Sequence, residues 1–222
     1  MKSPLESAVI FSLGPVHFTQ PVVATWVLIT ALVALSALVT RRLRVESPGR
    51  AQVLLESFLQ LLQSQIRDTM RCEPAPFLPL ITTLFLFVLG ANLSSLIPGN
   101  EPPTAAIETD AALALIVFVS VIVYGIRARG VAGYLRGFAT PSWVMIPLNL
   151  IEQVTRSFAL MVRLFGNVMS GAFVIAVVLS LAGLFLPIPF MALDVLTGIV
   201  QAYIFTVLAM VFIGTAVHEE GA

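Results

Sequence analysis

Apolar residues in this chain come in runs too long for an ordinary soluble core helix. Pro21 to Val39 is almost continuously apolar and stops at Arg41-Arg42-Leu43-Arg44. Phe77 to Ile97 repeats the pattern and closes at Pro98-Gly99-Asn100, and Ala111 to Ile126 ends before Arg127. Two longer stretches follow, separated by Leu186-Pro187-Ile188-Pro189. A helix crossing a hydrocarbon core of ~30 Å needs about 20 apolar residues. The pattern therefore predicts an all-α integral membrane protein, a single polytopic domain over residues 1–222, with spans over 21–40, 77–97, 111–126, 143–185 and 190–217.

Residues 51–67 follow a different rule. Leu54, Leu55, Phe58, Leu61, Leu62 and Ile66 recur at helical spacing, with Gln52, Glu56, Gln60, Gln63 and Arg67 between them. This predicts an amphipathic helix that lies along the membrane interface, packs on a partner, or simply links two spans. The fourth stretch is overlong. Pro147 to Pro187 extends about 60 Å at 1.5 Å per residue, so the helix either tilts steeply or breaks near Gly166 or Gly171. Joined to the last stretch through the proline turn, it suggests a tilted antiparallel hairpin.

Composition agrees with the pattern. Of 222 residues, 58% are hydrophobic and only 11% charged, against about a quarter charged in soluble domains. The zero net charge gives no case for nucleic-acid binding. All but one of the twelve cations are Arg, and their positions orient the spans. Arg41, Arg42, Arg44 and Arg50 follow the first span, and Arg127, Arg129 and Arg136 follow the third. The loop with Glu101, Glu108 and Asp110 has no cation. The positive-inside rule then places the N-terminus outside and the C-terminus in the cytoplasm. The N-terminus lacks the pattern of a cleaved signal peptide. Cys72 is the only cysteine, and His17 and His218 lie at opposite ends, so neither a metal site nor a cofactor is expected.

The decisive charges lie inside the fourth stretch. Glu152, Arg156, Arg163, Asn167 and Ser170 fall within about 60° of one another at ~100° per residue. Between Phe158 and Leu179 the only polar side chains are Arg163, Asn167 and Ser170. An Arg at the bilayer centre costs roughly 2.5–3.5 kcal/mol on insertion scales, and it cannot escape by losing its proton. Arg163 therefore snorkels, pairs within the protein, or lines a polar path. Glu152 and Arg156 are also spaced for a local ion pair. On the last helix Asp194, Thr197 and Gln201 share a face that an antiparallel hairpin turns toward this stripe. Asp194 is either an intramembrane relay carboxylate or a helix-start residue at the outer interface. Asn92, Ser94, Ser95, Glu108 and Asp110 make the outer side polar and acidic, as suits an aqueous vestibule for cations.

Around Arg163 the chain reads Arg163-Leu164-Phe165-Gly166-Asn167, after Pro147-Leu148-Asn149-Leu150-Ile151-Glu152 and before Gln201-Ala202-Tyr203-Ile204-Phe205. In order and spacing these segments resemble subunit a of the F-type ATP synthase, the membrane stator facing the rotating c ring. Pro79-Leu80, Asn92-Leu93, Gly130 and Gly133 fit as well, and the resemblance spans about Val22 to Glu220. It implies a subunit with no catalytic site of its own, in the plasma (inner) membrane of a bacterium, with a c-subunit ring, b-type peripheral stalk subunits and lipid as partners. It further implies two half-channels separated by Arg163, the match to the family's essential arginine. Asn167 and Gln201 match polar residues near it, and the coupling ion is H+ or, alternatively, Na+.

Two departures stand out. Many relatives carry Glu or His where this chain has Ala172, and some carry His or Glu where it has Asp194. The acidic relay group has thus moved to the last helix. Ser157 stands where relatives often have Pro, which puts the helix geometry near Arg156 in question. A secondary cation transporter is the rival reading, but it favours internal repeats, and none relates the first three spans to the last two. No phosphate-binding loop is present in the sequence.

Overall fold

The computed structural model describes residues 9–13, 16–41, 49–97, 102–139, 143, 145–183 and 186–218. Arg42, Arg44 and Glu101, used above to orient the spans, lie outside them. Among the described residues five helices are long and apolar enough to cross a membrane.

The chain begins with a small antiparallel hairpin of β1 (Val9–Leu13) and β2 (Val16–Thr19), irregular in register between Val9 and Phe11. The broken apolar run at Ile10 to Leu13 had given no sign of pairing. Helix α1 (Gln20–Thr40) follows with Pro21 in its first turn, where a missing N–H costs nothing. It is apolar all round with only Pro21 buried, as suits a lipid-facing helix, and touches the rest mainly through α3 and the turn Pro103–Ala105.

Helix α2 (Arg50–Met70) is the amphipathic element. Leu62, Ile66 and Met70, each one turn apart, are its buried stripe. They pack on this chain's own α6 and α3, while Leu54 and Leu61 stay exposed. Helix α3 (Leu78–Leu93) continues into a 3₁₀ turn at Ser94–Leu96, and a second such turn lies at Pro103–Ala105. Helix α4 (Ile107–Ala139) starts four residues before the expected span, so Glu108 and Asp110 belong to its first turn.

At Gly130 α4 is interrupted (φ 72°, ψ 164°), a conformation almost confined to glycine. A Cβ on Gly125 would stand 2.6 Å from the Tyr134 ring. In a straight helix, nine residues separate Cα atoms by about 13 Å, so the chain folds back on itself at Gly130. Arg129 locks this turn by donating from Nε (3.2 Å) and Nη2 (2.8 Å) to the Ala216 carbonyl near the end of α6.

Helices α5 (Met145–Ala182) and α6 (Pro187–His218) form the long hairpin. Of the two alternatives for the fourth stretch, the break is absent: α5 runs unbroken through Ser157, Gly166 and Gly171. A glycine in a helix costs only about 1 kcal/mol, whereas broken backbone hydrogen bonds facing lipid cost several kcal/mol each. At 38 residues α5 is about 57 Å long at 1.5 Å per residue. It must cross the bilayer at a tilt or run on beyond it.

Helix α6 is the centre of the fold. Ala202, Phe205, Ala209, Met210 and Ile213 are almost fully buried, and α6 touches α2, α3, α4 and α5. Small residues at this contact let helix backbones approach closely, which is what holds helices together in lipid. Helix α5 offers it only the stripe Leu160, Leu164 and Val168, leaving Ile151, Val154, Phe158, Val162 and Phe173 exposed.

The Gly130 turn yields a stability test. Gly130→Ala must force alanine into a glycine region at a cost of roughly 1–3 kcal/mol, so it lowers the thermal midpoint of the detergent-solubilised protein. Gly166→Ala, whose added Cβ meets open space, leaves the midpoint unchanged or raises it.

Candidate functional site

The polar residues of α5 and α6 lie along the seam where the two helices meet. At one end, Asn167, Ser170, Gly171, Asp194 and Thr197 line a crevice of about 180 Å³. The face shared by Asp194 and Thr197 thus meets the continuation of the Arg163 stripe. The Asp194 carboxylate occupies the space beside Gly171, and a Cβ there would collide with it. Ser95 Oγ, at 3.3 Å, reaches Asp194 Oδ2 from the end of α3. Ser170 and Thr197 turn their hydroxyls onto carbonyls three residues back, which satisfies the donors and leaves lone pairs facing the crevice.

Arg163 lies on the exposed flank of α5. It lines a second, larger groove of about 590 Å³, shared with Asn149, Glu152, Arg156, Leu208 and Phe212. The groove runs from Arg163 toward the end of the bundle that carries Arg129, and the Asp194 crevice runs the other way. No residue lines both. Arg163 and Asn167, one turn apart, stand at their facing ends. Arg163 forms neither a hydrogen bond nor an ion pair with any described residue.

Gln201 is level with this division. Gly171 faces Asp194 and Arg156 faces Phe212. Eight residues on from the first contact and seven on from the second, Arg163 comes level with residues 202 to 205. Gln201 is buried, and its Nε2 has no partner among the described residues. No hydrogen bond joins it to Arg163.

Deeper in the groove, Glu152 and Arg156 form the local ion pair that their spacing allowed. The Arg156 guanidinium also lies over the Phe212 ring, 5.4 Å from its centre. Such a contact adds about 0.5–1 kcal/mol at an exposed site and orients Arg156 toward α6.

The residues grouped as an acidic vestibule separate in the structure. Glu108 is exposed, but Asp110 is fully buried, and neither of its carboxylate oxygens has a partner among the described residues. A solvated vestibule does not include it. Asn92 is also buried: its Nδ2 donates to the Gly198 carbonyl (2.9 Å) and its Oδ1 accepts from Thr104 (3.0 Å). Every strong contact of this side chain fixes α3 and the Pro103–Ala105 turn to α6. It is placed as a tie rather than as a wall of the crevice.

Sequence reasoning passed over Thr104, Gly171 and Tyr134. Thr104 sits outside any periodic segment, and a glycine in an apolar run signals nothing about its neighbour across a helix pair. Only the expected antiparallel pairing with Asp194 pointed to the Gly171 region.

The sequence profile described as ATP synthase A chain matches residues 22–214. The chain belongs to the ATP synthase A chain family. It is 57% identical over 215 residues to a protein named ATP synthase subunit a 2 from Bradyrhizobium sp. strain BTAi1, covering 97% of this chain and 96% of that one. It is 44% identical over 219 residues to ATP synthase subunit a 1 of Prosthecochloris aestuarii, with 97% of each chain covered. It is 41% identical over 217 residues to ATP synthase subunit a of Albidiferax ferrireducens, covering 97% and 94%. As a family member the chain is an integral membrane subunit of an ATP synthase, and the matched region contains every residue of the candidate site named above.

Asn92 supplies the test of the site's scaffold. Asn92→Ala strips both Thr104 and the Gly198 carbonyl of their buried partner, at a cost of roughly 1–3 kcal/mol. The expected outcome is a lower thermal midpoint, with Thr104→Val shifting it less because only one bond is lost.

Proposed function

We propose that this chain is the ion-conducting stator subunit of a rotary ATP synthase, with two cation half-channels that approach each other at Arg163. The observation that supports this best is the pair of crevices on the α5–α6 seam, each setting several polar side chains in a mostly apolar wall, which share no lining residue and end on either side of Arg163. In this reading the Asp194 crevice opens to the outside, with the N-terminus on that side. The Arg163 groove opens to the cytoplasm of a bacterium, where the C-terminus lies. A c-subunit ring runs along the exposed face of α5, and b-type stalk subunits hold the chain still.

A cation arriving from outside passes Asp194, Thr197, Ser170 and Asn167 and loads a carboxylate on a c subunit. The loaded, neutral carboxyl can travel through lipid at little cost, whereas a bare carboxylate cannot. On its return the rotor carboxyl meets Arg163. A guanidinium holds a carboxylate in a planar, two-bond pair, keeps its proton, and repels other cations. Arg163 therefore displaces the bound ion into the Glu152–Arg156 groove and blocks leakage between the half-channels. Gln201, buried and level with Arg163, has an amide free to support the guanidinium or the arriving carboxylate. The drive is about 2.3 kcal/mol per charge per 100 mV, so several ions serve each ATP. The ion is H+ in this reading. Na+ would be held by the same oxygen-rich crevice.

Two substitutions test the proposal in inverted membrane vesicles carrying the assembled complex. Arg163→Ala is expected to cut ATP-driven ion pumping by more than about tenfold, a barrier change of about 1.4 kcal/mol. Arg163→Lys is expected to fare little better, because lysine lacks the fork and can release its proton when desolvated. Pumping at the parent rate in Arg163→Ala vesicles would sink the assignment. Asp194→Asn is expected to slow translocation by about tenfold or more while the complex still assembles, and unchanged coupling in that variant removes Asp194 from the path.

A further inference from the structure

A third crevice, of about 70 Å³, lies between α4, α5 and α6 at the end of the bundle that carries Arg129. A water needs roughly 10–15 Å³ of such space, so several fit. Its wall mixes Val117 and Val121 with Asn149, Gln153, Ser157 and Thr215. The Ser157 and Thr215 hydroxyls donate to carbonyls of their own helices, at 3.2 and 3.0 Å, so each keeps lone pairs for a guest.

This crevice is separate from the Arg163 groove but adjoins it. Asn149, Glu152, Arg156 and Phe212 line both. The partition is therefore the Glu152–Arg156 pair, with Arg156 seated on Phe212. A cation leaving Arg163 along the groove reaches Glu152, and Glu152 also faces the crevice.

The other boundary is Tyr134. The fold-back at Gly130 brings its ring against Gly125, where only the absence of a side chain admits it. Its hydroxyl accepts from Gln153 Nε2 at 3.4 Å, one helical turn from Ser157. That distance is at the long end for a hydrogen bond, and long bonds are weak. The segment bearing Tyr134 is held to α6 through Arg129 and Ala216, and Ala216 also lines the crevice. A weak bond set on a firmly anchored support can open without moving the helices.

We propose that the crevice is a water-filled passage for the departing hydrated cation, running inside this chain behind α5, and that the Tyr134–Gln153 contact is its gate. The inference rests on the half-channel reading above and assigns the last stretch of the cytoplasmic half-channel. Tyr134 acts as a positioning residue, and Glu152 passes the ion from groove to crevice.

The test follows thiol modification in inverted vesicles bearing the whole complex, with Cys72→Ser removing the single native cysteine. A Ser157→Cys thiol reports on the crevice, and the probe is the membrane-impermeant cation methanethiosulfonate-ethyltrimethylammonium, whose quaternary charge is fixed, read as a mass shift. Modification from the cytoplasmic side is expected, and Tyr134→Phe is expected to accelerate it at least roughly twofold to threefold, the low end of what losing a hydrogen bond changes. Because phenylalanine still fills the niche at Gly125, this acceleration does not depend on a disordered turn. Tyr134→Ala should accelerate it further. A Ser157→Cys thiol that stays unreactive, or reacts equally fast with Tyr134 and with Phe in its place, overturns the passage and its gate. Pumping in the Arg163→Ala vesicles separates the two claims. If that variant fails to pump and the thiol is still unreactive, the passage and its gate are wrong while the half-channel reading stands. If it pumps normally, the half-channel reading fails whatever the thiol rates.

Discussion

Close packing of α6 against its neighbours is the constraint on which the rest of the structure depends. Lipid gives helices no hydrophobic reason to associate, so contact area and backbone approach must supply the attraction. Ala202, Ala209 and the glycines of α6 provide that approach. Because α6 is surrounded by α2, α3, α4 and α5, it can carry buried polar groups along its middle. Gln201 and Thr206 are two of them. Helix α5, by contrast, meets α6 along a narrow stripe and α4 along one flank, and leaves much of its remaining surface uncovered.

From this asymmetry the polar seam follows. Where two helices of unequal burial meet, the groove between them has one wall fixed by the core and one wall on the protein's surface. Asp194 and Thr197 lie on the fixed wall, Asn167, Ser170 and Arg163 on the other. The fixed wall is held in register by Asn92, which ties α3 to the Gly198 carbonyl one turn beyond Asp194. Through its bonds to the Gly198 carbonyl and Thr104, Asn92 thus helps hold the geometry of the seam.

Much of this was legible in the sequence because lipid makes strict demands. Hydrophobic length fixed the five long helices, and the charge-bearing stripe of α5 pointed to the seam before any coordinates. The family was legible too, through the segments around Arg163 and Gln201. What remained hidden depends on contacts between distant elements. The fates of Glu108 and Asp110 could not be told apart, since both are acidic residues at the start of the third span, and only tertiary packing decides which is buried. Gly130 carried no sign of its positive φ, and the fold-back that brings Tyr134 to Gln153 depends on it. The continuity of α5 through two glycines was equally undetermined, because local propensity and the demand for backbone hydrogen bonds in lipid pull in opposite directions.

The uncovered face of α5 has a mechanical meaning. Ile151, Val154, Phe158 and Val162 offer a partner only dispersion and apolar contact, forces that have no preferred direction and no fixed spacing. A surface sliding across such a face meets little that would hold it at one angle rather than another. Under the proposed function it would serve as a bearing. Arg163 stands on the flank of α5 beside this face, on the stripe it shares with Glu152 and Asn167, and adds a directional attraction there, so any stepping of a rotor along α5 would take its period from the rotor's own acidic groups and not from this chain.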